Sequence, residues 1–270
     1  MTQYVRVVVA GILGLTIAGA GEPVVDLLPD IVTNRERLKD HDVRTDIIQG
    51  RVLLTLTNGT ANVGAGPIHI FGVDPGPKDS DEVRLQKIKQ RIFRSDGSHY
   101  NRRAGFFVYH PQHNHIHVEG WAIYRLREVL PGNGVGDVVA EGKKTSFCLI
   151  DNYIYDSTLP NFSPVPFYTS CTTNTQGISV GFEDVYDKSL PDQWVDITGV
   201  PAGTYWLESE ADPDDHFLES DETNNIARIK VTIEIEDEPE PDPVPLGFFA
   251  ALLEILQQIL EYLRNLFQRA

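Results

Sequence analysis

Alternation of apolar and polar residues with a period of two limits the folds open to this chain more than any other feature. Arg51-Val52-Leu53-Leu54-Thr55-Leu56-Thr57 alternates, and in Ile229-Lys230-Val231-Thr232-Ile233-Glu234-Ile235 every apolar residue falls on one face of an extended chain. A helix would scatter such residues around its axis, whereas a strand gathers them on the side that meets a core. Stretches 67–73, 114–126, 194–198 and 203–208 read as further strands. Turn signals stand at Asn58-Gly59, Pro131-Gly132 and Pro201-Ala202-Gly203, and a hairpin turn at Asp96-Gly97. The 22 Gly and 17 Pro fit so turn-rich a chain. The expected fold is all-β, a β-sandwich-like single domain over residues 24–235 with long functional loops.

Outside that domain the pattern changes. An apolar, Gly-punctuated run over 7–17 is shorter than the roughly 20 residues a membrane span needs. It is followed by Ala18-Gly19-Ala20, a small-residue cleavage pattern, so residues 1–20 read as a signal peptide and the mature protein as secreted and extracellular. Cys148 and Cys171 are the only cysteines, and an even count in an exported chain points to one disulfide. Residues 236–245 form an acidic, Pro-rich linker. Beyond it, 246–269 reads as an amphipathic helix, with Phe249, Leu252, Leu256, Ile259, Leu263 and Leu266 on one heptad seam. Apolar residues flanking that seam suit oligomerisation in a bundle of several helices, with docking onto a partner or the parent domain as the alternatives.

The charge balance narrows the function classes. With 39 acidic against 23 basic residues the net charge is −16, which excludes a nucleic-acid binder and is compatible with cationic substrates. Residues 83–103 reverse that sign, with seven Lys and Arg against Asp96 alone, and read as a solvated hairpin. Asn58-Gly59-Thr60 fits a glycosylation sequon. No P-loop, nucleophile elbow or zinc-ribbon spacing occurs.

Chemistry concentrates in His110-Pro111-Gln112-His113-Asn114-His115-Ile116-His117. His113, His115 and His117 alternate and would project from one face of a strand; His110 is out of phase with them. Two residues of strand advance roughly 6.5–7 Å, so neighbouring imidazoles can share a metal, but all three converge only if the strand curls or bulges. Three neutral nitrogens suit copper, zinc, iron or nickel and leave positions open for water, dioxygen or substrate.

At this motif the chain resembles the copper-dependent lysyl oxidase family. The segment Glu141-Gly142-Lys143-Lys144-Thr145-Ser146-Phe147-Cys148-Leu149 is similar to the one that carries the family's cross-linking lysine. Asp184-Val185-Tyr186, followed by Gln193-Trp194-Val195-Asp196-Ile197-Thr198, is similar to the one that carries its cofactor tyrosine. The likeness extends from Leu28-Pro29-Asp30 to Asn224-Asn225 and includes neither the linker nor the terminal helix.

The resemblance implies Cu²⁺ on His113, His115 and His117, and a lysyl tyrosylquinone made from Lys144 and Tyr186. It implies oxidation of primary amines, lysine side chains of proteins being one such class, to aldehydes, with O₂ consumed and H₂O₂ and ammonia released. It also implies a structural Ca²⁺ held by Asp30, Glu219, Asp221, Asn224 and Asn225, all oxygen donors suited to a hard cation, and pairing of Cys148 with Cys171. One departure concerns proton transfer. Animal members carry a His before the Tyr that follows the copper motif; here Ile123 precedes Tyr124, so a base must come from elsewhere, His110 being one candidate. Two other readings compete: a cupin-like enzyme binding iron or zinc through His115, His117 and Glu119 without a quinone, and a non-catalytic module stabilised by its metals.

Overall fold

The computed structural model describes residues 23–46, 49–75, 84–110, 115–143, 145–234 and 257–259. The expected signal peptide, the linker, His113 and Lys144 lie outside the described residues. So does the terminal helix except for 257–259, which are helical.

Among the described residues the fold is all-β, in three sheets. The largest orders β13 (Gln176–Ile178), β6 (Ile68–Pro75), β7 (Arg84–Arg94), β8 (His99–His110), β9 (His115–Leu130), β16 (Gly203–Ala211) and β17 (Ile226–Ile233). Three short strands join it from the side: β1 (Asp26–Leu27) on β7, and β10 (Gly134–Glu141) and β11 (Thr145–Phe147) on β9. A second sheet orders β12 (Tyr153–Ile154), β14 (Phe182–Tyr186), β5 (Asn58–Asn62) and β2 (Ile31–Thr33). The third orders β15 (Trp194–Asp196), β4 (Arg51–Leu56) and β3 (His41–Asp46), and the one-turn helix α1 (Arg35–Leu38) links β2 to β3. One apolar cluster joins all three sheets, with Leu54, Ile70, Phe107, Trp121, Leu126, Phe182 and Leu207 among its members.

The alternation in β17 does what the sequence requires of it, burying Ala227, Ile229, Val231 and Ile233, with Lys230 and Thr232 exposed and Arg228 half-buried between them. β4 departs from that pattern. Leu54, Thr55 and Leu56 are all buried, because β4 is the middle strand of its sheet and both faces are covered. The turn expected at Asn58-Gly59 is instead the start of β5, buried along its whole length. Gly59 is required there by close approach: a Cβ would stand 2.9 Å from Arg37 Cγ and 2.9 Å from Glu183 Oε2. Asn58 is 1% exposed and accepts a hydrogen bond from Ser209, so this fold has no room for a glycan on it.

The basic hairpin of β7 and β8 turns at Gly97, whose φ of 82° needs the freedom of glycine. Arg94 is paired with Asp26, and Arg102 donates to Gln90 and to the His216 carbonyl, so part of its charge is bound into the fold.

Candidate active site

The metal motif sits on the hairpin of β8 and β9, where His110 and His115 are backbone partners. His113 falls in the connection between them, outside the described residues. His115 and His117 bring their ring centroids to 4.5 Å, closer than the two-residue advance of a straight strand. The curl has a visible source a few residues on. Gly120 takes φ 65°, and β11 pairs Thr145 with Ala122 but Phe147 with Val118, so β9 carries a bulge around that glycine. His117 is buried, whereas Glu119 is exposed. Among the described residues no three His, Cys, Asp or Glu side chains are grouped to hold a metal, and His115, His117 and Glu119 are not such a group.

β11 is the strand that Lys144 leads into. Its Phe147 is paired with Val118, next to His117, and its ring stacks on Tyr186 at 3.9 Å between centroids. The Tyr186 phenol is gripped by the following residue: the Cys148 N–H donates to its oxygen at 2.7 Å, and the hydroxyl donates to the Cys148 carbonyl at 3.2 Å. Cys148 is bonded to Cys171, as expected, and the Cys171 carbonyl accepts from the N–H of Ile116, between the two metal-motif histidines. Gln176 secures the same corner, donating to the carbonyls of Ile116 and Thr172 and accepting from the Leu149 N–H. The disulfide therefore ties the histidine strand to the backbone that fixes the tyrosine.

Behind Tyr186 lies a buried polar layer. Asp184 precedes it by two on β14 and shares its face, and β5 places Asn58 opposite Tyr186 and Thr60 opposite Asp184. Thr60 accepts from the Trp121 indole, and Tyr124 donates to Gln193 Oε1 at 2.8 Å. Burial pushes the Asp184 carboxyl well above the ordinary carboxylate range, and the negative neighbours Asp151 and Glu183 push it further. Burial likewise raises the phenols of Tyr186 and Tyr124, with Asp184 adding to both shifts.

The expected calcium ligands lie elsewhere, where the first strands meet the last. Asn224 Nδ2 donates to Asp30 Oδ1 at 2.8 Å, and Asn225 Nδ2 donates to Glu219 Oε1 at 3.1 Å. Glu219 also accepts from the Ile31 N–H, Ser220 donates to Pro29 and Asp30, and Thr33 donates to the Asn225 carbonyl. Asp221 is not brought in; it is exposed and caps its own turn through Thr223. The amide oxygens of Asn224 and Asn225 are buried without a hydrogen-bond donor among the described residues. Two orphaned carbonyl oxygens beside two carboxylates fit a hard cation.

The sequence pattern of lysyl oxidases matches residues 77–238, more than half of the chain and the whole of the stretch from the histidine motif to Tyr186. The chain belongs to the lysyl oxidase family. Human lysyl oxidase homolog 1 is 33% identical over 160 residues, 58% of this chain and 26% of the relative. Human lysyl oxidase homolog 2 is 28% identical over 214 residues, 78% of this chain and 25% of the relative. The homolog 2 of Xenopus tropicalis is 32% identical over 149 residues, 54% of this chain and 18% of the relative. This lysyl oxidase family member thus spans about a quarter of the length of the human relatives it matches.

Within the lysyl oxidase frame, Ile123 is a core residue opposite Glu210 of β16, so no proton acceptor stands at that position. Sequence reading overlooked Phe147 as the ring that seats Tyr186, and Asp184 as its buried acid. The signal for Asp184 was present in the period-two spacing from Tyr186.

Proposed function

We propose that this chain is a secreted, copper-dependent amine oxidase. It converts primary amines, lysine side chains of extracellular protein among them, to aldehydes, consuming O₂ and releasing H₂O₂ and ammonia. His113, His115 and His117 would hold the copper, and Lys144 and Tyr186 would be joined as lysyl tyrosylquinone, which supplies an electron sink for the amine. The observation that carries this reading is the chain of contacts from His117 through Val118 and Phe147 to Tyr186, with Lys144 leading into the same strand. The protein's own work is then positional. The Cys148 backbone orients the phenol, and the buried Phe147 covers one face of the half-buried ring. The reading extends to Ca²⁺ on Asp30, Glu219, Asn224 and Asn225, without the exposed Asp221, as a clamp between the first strands and the last; the orphaned amide oxygens support it.

The test is peptide mapping by mass spectrometry of the exported protein after exposure to Cu²⁺ and air, beside Lys144→Ala and Tyr186→Phe. The expected result is one cross-linked species containing both residues, absent from each variant. Unmodified Lys144 and Tyr186 peptides in fully copper-loaded protein would refute the reading.

A further inference from the structure

Asp184 is 1% exposed, and no Lys or Arg among the described residues is paired with it. Its Oδ1 accepts from Asn152 Nδ2 at 3.2 Å, and its Oδ2 has no hydrogen-bond partner among the described residues. The acids around it are already engaged. Glu183 is bound by Arg37 and Asn34, and Asp151 accepts from the N–H groups of Phe167, Tyr168 and Ser179 and from the Ser179 hydroxyl. The other titratable groups facing Asp184 are the phenols of Tyr186 and Tyr124. Two more polar atoms are orphaned in this layer, Asn58 Nδ2 opposite Tyr186 and Gln193 Nε2 on the residue that receives the Tyr124 hydroxyl.

A carboxyl buried this way is costly to the fold at neutral pH. An unpaired ionisable group in a dry site costs stability, and an amide of the same shape would keep the Asn152 contact without that cost. Perturbed, unpaired acids of this kind belong to sites where a proton is handled.

We propose that Asp184 is the proton acceptor of this site, taking the proton from the carbon bonded to the amine nitrogen while the electron pair of that C–H bond passes to the oxidised Tyr186 ring. The C–H bond breaks, Asp184 Oδ2 gains the proton, the ring is reduced by two electrons, and O₂ later removes them as H₂O₂. Burial and the neighbouring acids favour the protonated carboxyl, and a positively charged substrate nitrogen favours the carboxylate, so the carboxylate forms as the amine arrives. This rests on the amine oxidase reading above.

The experiment uses the full, copper-loaded chain. Infrared difference spectra of wild type carrying isotope-labelled aspartate, with Asp184→Asn to identify the band, are recorded before and after adding n-butylamine. The expected result is a protonated carboxyl before the amine and an ionised one after it. Asp184→Asn is expected to form the Lys144–Tyr186 cross-link, to oxidise n-butylamine on the order of 10²–10⁴-fold more slowly, and to lose the acid limb of the wild-type pH profile. A cross-linked Asp184→Asn with the wild-type rate and profile would overturn the role of Asp184 alone. So would wild-type difference spectra in which no protonated aspartate carboxyl is lost on adding the amine, a result read from wild type alone even if the variant does not fold. Absence of the cross-link from wild type would overturn the amine oxidase reading, and this one with it.

Discussion

Removing the disulfide tests whether the site depends on a tether or on packing alone. Cys148 and Cys171 are separated by 23 residues and close a loop that includes the polar stretch 155–166. Loop-closure entropy for that length, lost from the unfolded chain when the bond is present, is about 3 kcal/mol at 25 °C. Cys148→Ser with Cys171→Ser is therefore expected to lower unfolding stability in urea by about 3 kcal/mol and the thermal midpoint by roughly 10 °C. The local effect should be larger than the global one suggests, because Cys148 holds the Tyr186 phenol and the Cys171 carbonyl holds Ile116 between two histidines. Cross-link yield after copper loading, measured at a temperature where the variant is still folded, should fall with it. A stability loss under about 1 kcal/mol would refute the entropic reasoning, and an undiminished yield would refute the claim that this tether positions the tyrosine.

Four further outcomes follow from the same coordinates. Phe147→Ala removes a fully buried ring stacked on Tyr186 and should cost about 3–5 kcal/mol in chemical denaturation. Loss of water around Glu208 would raise its carboxyl, but Arg127, Arg228 and Arg125 outweigh this and hold it below its ordinary value. Its contribution to stability is thus present above about pH 4.5 and lost as pH falls through the lowered value, and Glu208→Gln should flatten that acid limb while costing about 3 kcal/mol at neutral pH. Asp184 has the opposite sign: its raised carboxyl stabilises at low pH and loses that contribution as pH rises above about 4, so Asp184→Asn should gain on wild type in melts at increasing pH. Ca²⁺ at about 100 times its dissociation constant should stabilise wild type by about 2.7 kcal/mol, and Asn224→Ala with Asn225→Ala should abolish that response to added calcium or chelator.

How far each feature could be read in advance depends on how local its cause is. β17 and the hairpin turning at Gly97 follow from period and turn chemistry within a few residues, and both stand where they were expected. β5 and β14 did not show themselves, since Asn58-Gly59-Thr60-Ala61-Asn62 and Phe182-Glu183-Asp184-Val185-Tyr186 are too polar to announce strands. They are held in place by partners far along the chain: Ser209 for Asn58, Arg37 for Glu183, Trp121 for Thr60. A turn dipeptide at Asn58-Gly59 misleads because what glycine provides there is room for Arg37 and Glu183, a requirement that arises only when distant segments meet.

The sequence by itself determined the all-β class, the imidazole cluster, the pair of cysteines and, by resemblance, the lysine and tyrosine. These depend on residue type and short-range spacing, which the chain carries whether folded or not. Tertiary structure alone decided that a disulfide joins the histidine strand to the tyrosine's anchor, that Phe147 seats the ring, and that Asp184 beside it is buried with one oxygen unpartnered among the described residues. Burial and pairing are properties of the space between segments, and that space exists only once the three sheets have closed on one core.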